Sequence, residues 1–139
     1  DGLLQALEEM GVGLELCEKA LAEFLESKRR IFPRFYFAST NMLLDILSNG
    51  NRPWVVATHI NALFQGIKEL ELSGEPKTTV QKLLSNEGEE VALGAPLELT
   101  GKVEHYLGGL IGAIRDDLLA KMKQAVADYV KRERREWVF

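Results

Sequence analysis

The stretch Phe32-Pro33-Arg34-Phe35-Tyr36-Phe37 constrains this chain most. A long helical pattern runs into it and cannot continue through Pro33, which lacks an N–H and forces the preceding residue out of the α region. Phe32 is therefore expected to leave the helix, with Arg34 to Phe37 running extended. In an extended run alternate residues share a face, so Phe35 and Phe37 point one way and Tyr36 the other. A segment aromatic on both faces reads as a buried structural corner of Phe32, Pro33, Arg34, Phe35 and Phe37 joining two helices. The competing reading is a docking surface for a partner. Arg34 can stack on an aromatic ring or pair with an acid across the corner.

Upstream, residues 1–32 read as one long helix, with a possible break near Gly11 and Gly13. Leu3, Leu7, Met10, Leu14, Cys17, Leu21, Phe24, Lys28 and Ile31 recur at alternating spacings of four and three. That is a heptad seam, as found where one helix lies along another. Lys28, its charged member, marks where the seam nears solvent. Cys17 sits at a core spacing and reads as buried apolar filler. As the single cysteine it excludes an internal disulfide framework. Arg29 and Arg30 lie off the seam at the helix end, where they complement the macrodipole. A binding patch is the second reading of that cluster.

Downstream, residues 39–68 read as two helices. Ser39 or Thr40 can cap the first, Met42, Leu43, Ile46 and Leu47 form its apolar stripe, and Gly50 suits its stop. Pro53 fits the first turn of the second, whose face carries Val56, Ile60, Leu63, Phe64 and Ile67. His59 has no second ligand at metal spacing and reads as a surface or packing residue. Over about 69–100 the hydrophobic period shortens towards two, the strand signal. Glu69-Leu70-Glu71-Leu72, Thr78 to Leu84, Glu89 to Leu93 and Leu97-Glu98-Leu99 form an antiparallel ribbon that needs helices on one face. The helical period returns over 102–134 as one long helix or two. Gly108, Gly109 and Gly112 weaken it and are expected where another element comes close. The fold class is mainly α, a bundle of long helices with a small inserted β ribbon.

The chemistry is sparse. Gly94 and Gly101-Lys102-Val103 stand too far apart for a Walker loop, and Val103 has no hydroxyl for magnesium. Asp116 and Asp117 are neighbours on a helix and diverge. There is no Cys/His cluster and no nucleophile elbow, so this segment is read as having no catalytic, cofactor or metal site. A net charge of −4 over 139 residues argues against nucleic acid. No apolar run approaches the roughly 20 residues that span a bilayer, which argues against a membrane. The chain lacks an initiator Met and a signal peptide, and Trp137-Val138-Phe139 is an apolar end. It reads as a segment of a longer intracellular chain.

The block Leu16 to Phe37 resembles the dynein heavy-chain linker. So does Leu43 to Asn51, whose Ser48-Asn49-Gly50-Asn51 ending is most similar to axonemal outer-arm heavy chains. Ser85 to Glu89, Val103-Glu104 and Leu107 fit the same register. Arg135-Glu136-Trp137-Val138 resembles the segment leading into the first AAA+ module, and Tyr106 departs from the usual Trp. The resemblance covers nearly the whole chain. It implies a mechanical lever that couples ATP-driven changes in the AAA+ ring of the same heavy chain to movement along a microtubule. Arg135, Glu136, Trp137 and Val138 would form the exit towards that ring. It implies ATP and magnesium bound elsewhere in the parent ATPase, other dynein chains as partners, and a cytoplasmic, cytoskeletal setting in the axoneme of a cilium or flagellum. The rival reading is a self-contained helical scaffold or adaptor binding another protein.

Overall fold

The computed structural model describes residues 2–138. Helix α1 (Gly2–Ile31) is continuous through Gly11 and Gly13. It is followed by a 3-10 turn (Pro33–Phe37), α2 (Thr40–Ser48), α3 (Pro53–Val56), a second 3-10 turn (Ala57–His59) and α4 (Ile60–Leu63). Three strands come next, β1 (Ile67–Ser73), β2 (Thr79–Ser85) and β3 (Glu90–Glu98). Helices α5 (Val103–Tyr129) and α6 (Arg134–Val138) complete the described chain.

The aromatic corner is tighter than an extended run. Phe32 does leave the helix, at φ −128° and ψ 91°, but the residues after it wind into a 3-10 turn. Proline's fixed φ suits the first position of such a turn. With three residues per turn, positions i and i+3 eclipse. Phe32, Phe35 and Ala38 therefore share one face, and all three are buried. Arg34 and Phe37 share another. Phe37 is consequently 72% exposed, not buried beside Phe35.

Helix α2 starts as its sequence demands: the Ser39 hydroxyl accepts from the Met42 backbone N–H at 3.2 Å. The second expected helix is broken instead of continuous to residue 68. Val55, Val56, Thr58 and Ile60 are β-branched and crowd a helix. Thr58 Oγ1 donates back to the Val55 carbonyl at 2.7 Å, and the backbone tightens to 3-10 there. The apolar stripe survives the break, with Val56, Ile60, Leu63 and Phe64 buried, while Ile67 opens β1.

The sheet is antiparallel in the order β1-β2-β3. Leu70 pairs with Leu83 and Val80 with Leu97. Between Val80 and Lys82 the register jumps from Leu97 to Ala92, which bulges β3 around Gly94 and Pro96. Side chains of α5 satisfy the freed backbone: Gly94 N–H donates to Asp117 at 3.0 Å, and Lys121 donates to the Ala92 carbonyl at 3.0 Å.

One core joins these elements: Leu25 from α1, the Phe32–Phe35 face, Leu43 and Ile46, the broken helix, one side of the sheet, and Val103, Tyr106, Leu107 and Leu110 of α5. Among the described residues the glycines of α5 meet no close approach. A Cβ built on Gly108, Gly109 or Gly112 meets nothing within 4 Å, because Leu107 and Leu110 face the core and the glycines face away.

Beyond the core both long helices continue uncovered. Every residue from Gly2 to Phe24 is exposed, so the heptad seam faces solvent and Cys17 is exposed instead of buried. In the distal half of α5, Leu118, Met122, Val126 and Tyr129 are exposed.

Candidate functional site

The two long helices meet at their roots. Lys28, on the last turn of α1, donates to Glu104, on the first turn of α5, at 2.6 Å. The lysine side chain is 17% exposed and the carboxylate 3%. Lys28 therefore marks where α1 enters the core, opposite to the solvent-facing place expected of it. Burial pushes the Glu104 carboxyl up, but the Lys28 ammonium, a backbone N–H and the His105 side chain outweigh it, and its pKa lies below the usual value. An acid in the first turn also complements the dipole of α5. A cleft of 390 Å³ beside the pair is lined by Phe24, Gly50 and Lys102, among others.

The corner braces this junction from the other side. Phe32 packs edge-on against Phe35, with centroids 4.8 Å apart and planes at 67°. Tyr36 donates to Glu26 on α1 at 2.7 Å, and Arg29 lies 5.8 Å over the Tyr36 ring. The Glu26 carboxylate raises the Tyr36 hydroxyl pKa, chiefly by accepting its proton in a hydrogen bond. Arg29 Nε is buried without a hydrogen-bond partner among the described residues. Arg34 takes the aromatic option: its guanidinium lies 4.7 Å from the Phe64 centroid, and Nη1 donates to the Leu63 carbonyl at 3.0 Å. Among the described residues no carboxylate pairs with it.

At the other end, α6 turns back onto α5. Trp137 Nε1 donates to the Ala125 carbonyl at 2.8 Å, and its ring meets Tyr129 edge-on at 5.1 Å. Arg135 and Glu136 are exposed. The backbone of Val138 ends α6; Phe139 lies outside the described residues.

The residues weighed for chemistry lie apart in the fold. No group of three or more His, Cys, Asp or Glu could hold a metal among them. His59 Nε2 meets Asp45 at 2.6 Å on the surface. Gly94 lies in β3 and Gly101 in the loop before α5, so the two do not form one phosphate-cradling loop. Asp117 is committed to Gly94 and Lys121, which hold its pKa below the usual range against desolvation, while Asp116 is exposed. No described helix is long and apolar enough to cross a membrane.

The arrangement is thus two helical arms fixed to one core. Against known proteins, the family model described as dynein heavy chain, N-terminal region 2, matches residues 1–125. The chain belongs to the dynein heavy chain family. It is 42% identical over 142 residues to dynein axonemal heavy chain 9 of Homo sapiens, covering 99% of this chain. It is 42% identical over 144 residues to the dynein alpha chain, flagellar outer arm, of Chlamydomonas reinhardtii, covering 100% of this chain. It is 40% identical over 141 residues to the ciliary dynein beta chain of Tripneustes gratilla, covering 99% of this chain. The chain spans about 3% of the length of each.

In this dynein heavy-chain segment Tyr106 is buried beside Glu104. Its hydroxyl donates to the Gly50 carbonyl at 3.1 Å, which ties α5 to the turn after α2. Burial, with the Glu104 charge adding to it, pushes that hydroxyl well above its ordinary pKa. The Lys28–Glu104 junction was not foreseen as a site. The available signal was Glu104 within the apolar run Val103, Tyr106, Leu107, since a buried acid requires a cation.

Proposed function

We propose that this segment is a force-transmitting part of the linker of an axonemal dynein motor, coupling nucleotide-driven changes in an AAA+ ring to movement along a microtubule. The observation that carries this reading is the joint between α1 and α5: two long helices, each partly uncovered, clamped to a shared core through Lys28 and Glu104. A through-going member of that kind moves as one body when either arm is pushed. The axonemal, ciliary and flagellar names of the relatives support a place in the axoneme. On this reading the segment supplies no catalytic group, and ATP and magnesium bind elsewhere in the parent chain. Its direct partner is the ring of the same heavy chain. Microtubule and other dynein chains are reached through the rest of the motor.

A self-contained adaptor would present a finished surface. The exposure of Leu3, Leu7, Met10 and Leu14 on α1, and of Leu118 and Met122 on α5, favours the lever instead.

The test is a short Gly-Ser insertion after Glu136 in the full motor, compared with the same insertion at Ser73-Gly74, where β1 gives way to a turn. Flexible linkers let their ends wander and transmit position poorly, whereas surface turns accept added length at low cost. The insertion after Glu136 is expected to collapse gliding velocity while ATP turnover persists, and the insertion in the turn to leave gliding nearly unchanged. Equal gliding by both would overturn the lever assignment.

A further inference from the structure

We propose that the face of the 3-10 turn bearing Arg34 and Phe37 docks an acidic protein segment, one that presents a carboxylate beside an apolar side chain. This goes beyond the proposed lever role, which rests on the Lys28–Glu104 joint and not on this face. Arg34 and Phe37 stand three residues apart on a turn with three residues per repeat, so they project side by side. With Pro33, Asn61, Gln65 and Asn86 they line a groove of 710 Å³, within the range of roughly 300–1,000 Å³ typical of ligand clefts.

Charge selects the occupant. Arg34 is the one charged residue among those lining the groove, and no carboxylate lines it. Its guanidinium is held in place by the Phe64 ring and the Leu63 carbonyl. Only one of its five donors is used among the described residues, and the unused nitrogens reach solvent. A guanidinium fixed in this way matches a carboxylate with two parallel hydrogen bonds, at little entropy cost. Next to it Phe37 exposes most of its ring, a platform for an apolar neighbour of that carboxylate.

The polar wall suits an extended backbone. Asn61 donates to Asn86 Oδ1 and to the Ile67 carbonyl, and Asn86 donates to the Gln65 carbonyl, so these amides are rigid. Asn61 Oδ1 receives no donor among the described residues and can accept a peptide N–H. A single cation among neutral amides fits one carboxylate better than a run of phosphates.

The test is NMR titration of the isotope-labelled chain with the capped peptide acetyl-Gly-Leu-Glu-Leu-Gly-amide, with its Gln analogue and with inorganic phosphate. The Glu peptide is expected to shift the Arg34 Nε–H and the Phe37 and Asn61 amides, and to saturate. The Gln analogue should bind about tenfold more weakly. Arg34→Lys should weaken the Glu peptide severalfold while leaving distant amides in place. Phe37→Ala, on an exposed ring that the core does not need, should also weaken it severalfold. No shifts up to about 10 mM peptide, equal binding by the Gln analogue, or binding indifferent to Phe37→Ala would each overturn the proposal. Inorganic phosphate binding at the same residues more tightly than the Glu peptide would overturn it in favour of a bare anion site.

Discussion

Lys28 and Glu104 lie 76 residues apart in sequence and 2.6 Å apart in space, and their contact is the single charged bond between the two long helices among the described residues. Forming it desolvates both groups. Its removal on one side alone is therefore far more costly than its removal on both.

Lys28→Met should leave the Glu104 carboxylate buried and unpaired, lowering stability by about 3 kcal/mol. The double change Lys28→Met with Glu104→Leu should recover most of that loss. Urea unfolding of the three proteins measures both effects. Additive losses would mean the pair is not coupled.

Stability should fall with acid through the same carboxyl. Its folded pKa lies below the usual value. The unfolded chain therefore binds the proton first, and the contribution is complete above the unfolded value of about 4.3. It disappears as pH falls through the folded value. Asp117, depressed by Lys121 and Gly94, acts in the same direction. The urea midpoint should drop from pH 5 towards pH 3 (about 4.3 lying between), and Glu104→Gln should flatten part of that slope. An identical slope in the variant would contradict the assignment.

The corner should divide sharply between its two phenylalanines. Phe35, fully buried, should cost about 3–5 kcal/mol on truncation to Ala. Phe37→Ala should stay within about 0.5 kcal/mol of the parent. Thermal or urea melts of the two variants provide the comparison.

Gly109→Ala should stabilise the chain by about 1 kcal/mol, because the position is helical, solvent-facing and open. Urea unfolding measures the change. Loss of stability would show that something approaches α5 there.

Much of the architecture was legible because local rules and burial agree. Pro33 ends α1, Ser39 caps α2, Pro53 opens α3, and the switch to a period near two marks the ribbon. The misreadings have a common origin in periods that the pattern cannot separate. Period two and period three both carry Phe35 inward, but they disagree on Phe37. In the same way, the heptad of α1 reveals an apolar stripe without revealing what covers it, and Cys17 followed that stripe into the open. The broken helix at Thr58 turned on a side-chain bond to its own backbone, which competes with helix locally. At the candidate site the corner residues were visible, whereas the Lys28–Glu104 contact was not: sequence distance hides which acid a half-buried lysine will meet.

The exposed run from Gly2 to Phe24 has a geometric consequence. At 1.5 Å per residue it reaches roughly 35 Å beyond the core. A rotation of about 10° at Lys28 would sweep its tip through about 6 Å, by the same helix rise. On the proposed lever reading, a joint held to within about 10° keeps the far end of the arm within about one helix turn of its place. That tolerance is set at the root of α1, where Leu25 is buried, Lys28 meets Glu104 and Tyr36 holds Glu26.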